Sequence, residues 1–209
     1  TGGWNSPYSL DIADSGSLTV NGSFTMQGTR VIVNNATIEV RGNINIGTGA
    51  NGGSTKVLLS GLNQQEITHL DGIPPRGHWT INKSGGEVRL ATDFGLSGAA
   101  QDLFWEAGNL NLSSNTLSVG RNVTISGGTK SLGVTVADAT KAGRLTIVGT
   151  ASGISNVNLE VQVDAVKTDV EEQTYTILSN NVALNSAFAS VAWIPPWKGT
   201  VFYTANGGK

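Results

Sequence analysis

The sequence is dominated by short apolar alternations that recur about every six or seven residues from Ser17 onward. Corners that contain Gly or Asn, such as Asn21-Gly22 and Arg41-Gly42, separate them. Strict alternation marks a strand with one buried face, and Gly and Asn tolerate the left-handed backbone of a sharp corner. The chain is therefore expected to be all-β with very short strands. The first alternating pairs are Leu18/Val20, Phe24/Met26, Val31/Val33, Ile38/Val40 and Ile44/Ile46.

This spacing decides between the all-β architectures. Strands of a sandwich usually run about 5–6 residues and recur roughly every 8–12 residues, whereas the runs here are shorter and turn sooner. A chain that keeps turning without reversing forms a parallel β-solenoid. We therefore predict a parallel β-helix, with the usual right hand, built from about three short strands per coil of roughly 20 residues.

The alternation resumes after a less regular middle stretch, most clearly between residues 108 and 125. Residues 108–112, 115–119 and 122–125 repeat one another there, and we expect Leu112 and Ile125 to point inward. Helix signals are weak throughout. Residues 99–107 are the best helix candidate, while Phe104-Trp105 within them would equally suit another buried strand.

The chain is expected to form one continuous body whose two parts differ in the length of their alternating runs. Residues 1–130 carry the short alternations and should form solenoid coils, with a protruding loop near residues 68–78. Residues 131–209 carry longer alternating runs, which indicate wider coils or a β-rich C-terminal cap. A cap is expected because the last rung of a solenoid otherwise exposes an unpaired strand edge.

Composition removes several classes of function. Charged residues make up 13% of the chain and the formal net charge is -2, so we expect no broad basic surface for nucleic acid. The absence of cysteine excludes disulfides, thiolate metal sites and Cys nucleophiles. No apolar run approaches the roughly 18 residues of a membrane span, so no membrane insertion is expected. The opening Thr1-Gly2-Gly3-Trp4 is unlike a signal peptide and suggests a mature or excised segment.

Several segments carry a family resemblance. The chain resembles the β-solenoid passenger regions of large secreted bacterial adhesins and autotransporter-like surface proteins. The resemblance implies an extracellular or cell-surface location and a structural or adhesive role, and it supplies no catalytic residue. The segments that carry it are residues 63–68 (NQQEIT), 79–90 (WTINKSGGEVRL), 108–112 (GNLNL) to 126–128 (SGG), 143–146 (GRLT), 174–178 (TYTIL) and 188–189 (FA).

One set of carboxylates could carry catalysis. Asp93, Asp102 and Glu106 are candidates for acid–base work on a glycosidic bond or for calcium binding in a lyase. Such sites need groups that converge on one face, and the positions between the apolar residues are mostly Thr, Ser and Asn. A similar fold alone is not evidence of enzymatic activity, so no catalytic residue is expected.

Two further polar sets are candidate metal ligands. Neither has the spacing of a known motif, since a His-Glu-x-x-His pattern and an EF-hand loop are both missing from the sequence. Plain surface residues are the favoured interpretation, and no metal or cofactor is expected. The alternatives are zinc or another divalent ion for the set with histidines and calcium for the pair of aspartates. The first set is Glu66, His69, Asp71 and His78, and the second is Asp11 and Asp14.

Aromatic residues gather towards the two ends of the chain. They could form an interface with a neighbour or stack on a glycan, or they could cover the open ends of the solenoid core. Outward threonines such as Thr19, Thr25 and Thr37 raise the idea of ice binding, although no regular Thr-x-Thr ladder is present. The terminal aromatics are Trp4, Tyr8, Trp193, Trp197 and Tyr203.

These observations favour a non-enzymatic extracellular β-solenoid that forms a stalk, a fibre or a self-assembling filament subunit. The expected partners are further copies stacked end to end, neighbouring segments of a larger chain, and surface glycans. A carbohydrate-binding or polysaccharide-cleaving module is the first alternative, and an ice-binding protein is the second.

Overall fold

The computed structural model of the chain describes residues 9–12, 15–28, 30–32, 36–138, 140–164, 174–182, 186–194 and 200. One turn of 3-10 helix, Ile154–Asn156, interrupts an otherwise all-strand architecture in this part of the chain. In chain order the strands are β1 (Ser9–Asp11), β2 (Ser17–Val20), β3 (Phe24–Met26), β4 (Arg30–Ile32), β5 (Thr37–Val40), β6 (Ile44–Ile46), β7 (Lys56–Leu59), β8 (Gln65–His69), β9 (Trp79–Leu90), β10 (Phe94–Leu96), β11 (Leu103–Asn111), β12 (Thr116–Val119), β13 (Val123–Ile125), β14 (Lys130–Asp138), β15 (Lys141–Ala142), β16 (Arg144–Ile147), β17 (Ala151–Ser152), β18 (Val157–Val163), β19 (Leu178–Asn180) and β20 (Ser190–Ile194).

Apart from β15, which pairs antiparallel with β14, the strands stack in parallel along three columns, and the chain passes through the columns in turn. Column 1 holds β2, β5, β7, the start of β9, the start of β11, β13 and β17. Column 2 holds β3, β6, β8, the end of β9, the end of β11, β14, β18 and β20. The third position of the coil, column 3, is taken by β1, β4, β10, β12, β16 and β19. The chain is thus a parallel β-solenoid, as predicted. The predicted three short strands per coil are not present throughout: β9 and β11 run unbroken through columns 1 and 2, and among the described residues between β4 and β10 the third position holds only the bridge between Asn51 and Ile73.

Hydrogen bonds between adjacent coils give the length of each coil. Thr19 and Glu39, which are register partners, lie 20 residues apart, and the bonded pair Asn82 and Glu106 lies 24 residues apart. The coils lengthen further on, where Asn122 and Thr150 are 28 residues apart. The stack nevertheless continues in the same columns, because β14 pairs with β18 and β18 pairs with β20.

The core is a set of inward side chains stacked from coil to coil. Trp79 and Trp105 are among the largest fully buried side chains, and they belong to adjacent coils of column 1. Leu112 and Ile125 are also buried, so their predicted inward orientation is confirmed. Of the two alternatives for residues 99–107, the helix is wrong and the buried strand at Phe104-Trp105 is confirmed, because residues 103–107 form the start of β11 and Trp105 points inward.

Residues 68–78, expected as a protruding loop, follow the coil before them. The Ile73 N–H donates to the Ala50 carbonyl at 2.8 Å, and the Gly77 N–H donates to the Thr55 carbonyl at 2.9 Å. A Cβ at Gly77 would lie 2.5 Å from the same Thr55 oxygen, so only glycine permits this close approach. The segment is therefore part of the coil outline, and its polarity reflects solvent contact along that outline.

Candidate functional site

The first two candidate carboxylates act as bridges between consecutive coils. Asp93 directly precedes β10, and its Oδ1 accepts the Thr116 N–H of the next coil at 2.7 Å. Asp102 directly precedes β11, and its Oδ1 accepts the Asn122 N–H of the next coil at 3.1 Å. Each carboxylate supplies an acceptor to a main-chain donor at a corner of the solenoid. We refer to such contacts as inter-coil caps.

Asparagine makes the same contact elsewhere in the stack. In each case the side chain precedes an inward apolar residue and caps the main-chain N–H aligned with it one coil later. This repeated use explains why the chain is rich in Asn at its corners. The capping and the capped residue are about one coil apart in the sequence, and this spacing is a signal that apolar alternation alone does not reveal. The pairs are Asn43 with Glu66 at 2.9 Å, Asn109 with Ser131 at 3.0 Å and Asn122 with Thr150 at 2.9 Å.

The three candidate carboxylates do not converge on one site. Asp102 and Glu106 are four residues apart along the extended strand segment, a separation of roughly 13 Å, and Asp93 precedes a strand of column 3. Glycosidase carboxylates stand about 5–9.5 Å apart. Glu106 instead accepts a hydrogen bond from Asn82 Nδ2 at 3.0 Å.

Asp102 is held in its ionised form by its neighbours. Burial raises the pKa of this carboxyl, but the hydrogen bond from Arg121 at 3.0 Å and those from Asn122 outweigh burial and leave the pKa below its usual value. A carboxylate fixed in this way suits a structural acceptor and is a poor proton donor at neutral pH.

The histidines proposed as metal ligands have structural partners. His69 Nε2 lies 2.7 Å from the Gly72 carbonyl oxygen, and its ring meets Phe94 edge-on at 5.6 Å. His78 meets Phe104 edge-on at 5.3 Å, and burial, followed by the charge of Lys56, lowers its pKa. Across the described ranges, no three His, Asp or Glu side chains are grouped as a metal site. Asp14 and the side chain of Asp11 lie outside what the structure describes.

One of the terminal aromatics can be placed. Trp193 lies on β20, pairs with Val161 and is partly buried against the hydrophobic core. This position suits a side chain that covers the last described rung. Trp4, Tyr8, Trp197 and Tyr203 lie outside the described residues.

The structure shows a polar groove that the sequence did not single out. It has a volume of about 520 Å³ and follows the outer face of column 1 where the chain turns into column 2. Its members come from four consecutive coils, which is why no local motif marks them. We call it the column-1 groove, and its lining residues are Asn21, Glu39, Arg41, Ser60, Gly61, Leu62, Asn63, Asn82 and Ser84.

Hydrogen bonds across the coils fix the groove floor. The Glu39 carboxylate accepts from Ser60 Oγ at 2.7 Å, from Arg41 Nε at 2.9 Å and from Thr19 Oγ1 at 3.0 Å. The Ser60 hydrogen bond, followed by that of Arg41, lowers the pKa of Glu39. Arg41 also donates from Nη1 to Asn21 Oδ1 at 3.2 Å. The floor therefore joins three coils and carries one balanced pair of charges.

The groove wall is held from the interior of the solenoid. Lys83 is only 2% exposed, and its Nζ donates to the Asn63 carbonyl at 2.7 Å and to Gln65 Oε1 at 2.8 Å. The carbonyls of Ser60 and Gly61 lie 3.4 Å from the same nitrogen. Burial lowers the pKa of Lys83. The ammonium thus ties down the corner at 60–63, whose outer side forms the wall.

Comparison with known proteins adds no relative. No family model matches the chain, and comparison with curated proteins and with solved structures likewise yields no match. Within the described residues, no helix has the length and apolar character needed to span a membrane.

Proposed function

We propose that this chain is a non-enzymatic, extracellular structural protein whose coils form a segment of a stalk or fibre with an adhesive surface. The observation that carries the proposal is the way successive coils are joined. Parallel ladders run along the stack, and inter-coil caps close its corners. Such a body is stiff without disulfides, because every coil is hydrogen-bonded to the next.

The use of the carboxylates supports a structural role over polysaccharide cleavage. Asp93 and Asp102 serve as inter-coil caps, and Glu106 bonds to Asn82. The surface offers equally little support for ice binding, because Glu39, Leu58 and Phe104 interrupt the outward row that begins at Thr19 and includes Thr80.

The strand edges at the two ends of the described stack support end-to-end association with further copies or with neighbouring segments of a longer chain. Among the described strands, β2 pairs only with β5 and β20 pairs only with β18. An unpaired strand edge is a template for another strand, and a head-to-tail contact of this kind repeats without closing.

The geometry of β20 allows a selective test. In column 2 an inward residue such as Phe24 donates its N–H to the following coil. The inward Val191 therefore directs its N–H away from β18, towards the edge of β20 that has no partner among the described strands. We expect Val191→Pro to remove a donor from that edge while sparing the β18 ladder. Val191→Ala, which keeps the donor and loses a similar amount of packing, is the matched control.

Sedimentation velocity at increasing protein concentration measures the effect. We expect concentration-dependent oligomers for the wild type and for Val191→Ala, and association weakened about tenfold or more for Val191→Pro. A wild-type chain that stays monomeric at high concentration would refute end-to-end assembly. Equal association of the two variants would refute the assignment of β20 as the associating edge.

A further inference from the structure

We propose that the column-1 groove binds a neutral, linear saccharide chain that lies along the solenoid axis. The proposal names the class of ligand that the adhesive surface would bind, and it rests on the proposed adhesive function. Four features of the groove support it, namely the chemistry of its lining, the spacing of its polar groups, its exposed apolar contact and the rigidity of its walls.

The lining offers donors and acceptors together, with balanced charge. The amides of Asn21, Asn63 and Asn82 can each donate and accept. Arg41 has five N–H donors, of which Nε and one on Nη1 are used in the contacts with Glu39 and Asn21. Sugar hydroxyls also donate and accept, so a mixed lining matches them, and a lining whose two charges cancel favours an uncharged chain over an anionic one.

The spacing of the polar groups suits a polymer. Arg41 and Ser60 follow one another on adjacent coils, as the hydrogen bonds of their N–H groups to Val20 and Val40 show. Adjacent rungs of a parallel stack are about 4.7–4.9 Å apart, which is comparable with the length of one pyranose unit. Consecutive sugars along the axis would therefore meet polar groups from consecutive coils.

Leu62 supplies the apolar contact that a sugar ring needs. It is 70% exposed, the largest exposure among the described large hydrophobic side chains, and it stands at the groove wall beside Asn63. The C–H face of a pyranose ring is apolar, and binding sites combine such a contact with a few placed polar groups. Leu62 would thus cover a ring whose hydroxyls reach the polar floor.

The walls and floor are fixed before any ligand arrives. Glu39 is held by three donors, and Lys83 holds the carbonyls of the wall from inside. Pre-ordered groups lose little entropy on binding, so Lys83 is a positioning residue of the groove. Glu39 accepts all three hydrogen bonds and stays ionised, so it cannot serve as a general acid, and we expect binding without cleavage.

Affinity electrophoresis with the intact chain tests the proposal. The probes are hydroxyethylcellulose, galactomannan and dextran as neutral polysaccharides, with alginate and polygalacturonate as anionic ones. Leu62→Ala is compared with Leu70→Ala, because Leu70 is 65% exposed on the same coil but lies outside the groove. Circular dichroism checks that both variants keep the wild-type fold.

We expect at least one neutral polysaccharide to retard the wild type, and Leu62→Ala to weaken that binding about fivefold or more while Leu70→Ala leaves it unchanged. Retardation by no neutral polysaccharide, retardation by the anionic ones alone, or equal loss in both variants would overturn the site. Oligomers in sedimentation without saccharide binding would refute the groove and leave the structural role standing, so the two failures are distinguishable.

Discussion

Single polar residues in this chain connect one coil to the next through hydrogen bonds. Lys83 shows this most clearly, because a cation that is 2% exposed would be costly without partners. Its partners are neutral, namely main-chain carbonyls of the corner at 60–63 and Gln65 Oε1. Gln65 in turn donates to the carbonyls of Val40 and Gly42 in the preceding coil. One lysine and one glutamine therefore satisfy the inner carbonyls of two successive corners.

We expect Lys83→Met to destabilise the fold by about 2 kcal/mol or more, because it removes the donor of the buried Gln65 Oε1 and of the part-buried carbonyls at 60–63 while nearly preserving volume. Lys56→Met is the control, since Lys56 lies on the outward side of β7 and should change stability by less than about 0.5 kcal/mol. Urea unfolding monitored by tryptophan fluorescence measures both. A Lys83→Met variant as stable as the control would show that the ammonium does not hold the corner.

At the level of strands and corners, Asp and Asn side chains act as structural hydrogen-bond acceptors in the inter-coil caps. Asp93→Asn keeps an acceptor for the Thr116 N–H, whereas Asp93→Ala removes it. We expect the alanine variant to lose about 1 kcal/mol of stability and the asparagine variant to stay near the wild type. Chemical denaturation of the pair decides between the two roles. Equal losses would indicate that the charge of Asp93, rather than its acceptor, is what matters.

The sequence predicts the inward positions of regular strands well, and it predicts the segments between those strands less well. Alternation identified the inward positions Leu112 and Ile125, because burial follows a period of two directly. It left residues 99–107 open between helix and strand, because a short apolar run with Phe104-Trp105 has no clear period of its own. The corner at 68–78 looked like a loop, because polarity along a chain does not reveal hydrogen bonds to another coil.

At the scale of the whole molecule, the stack was predictable and the groove was not. The recurrence of corners along the sequence is enough to predict short stacked coils. The column-1 groove joins Asn21, Arg41, Ser60 and Asn82, which come together only when the register between coils is known. The prediction of a shared site for Asp93, Asp102 and Glu106 lacked the same information. Only the register between coils shows that Asp93 and Asp102 accept hydrogen bonds from main-chain N–H groups.

The central claim is that the chain is a structural unit whose coils continue from one copy to the next. Electron microscopy of the isolated protein, with diffraction from any filaments, tests it most directly. We predict unbranched filaments with a repeat of about 4.7–4.9 Å along the filament axis, because rungs of successive copies would stack as the coils within one copy do. Dispersed single particles at high concentration, or filaments without that axial spacing, would contradict the claim.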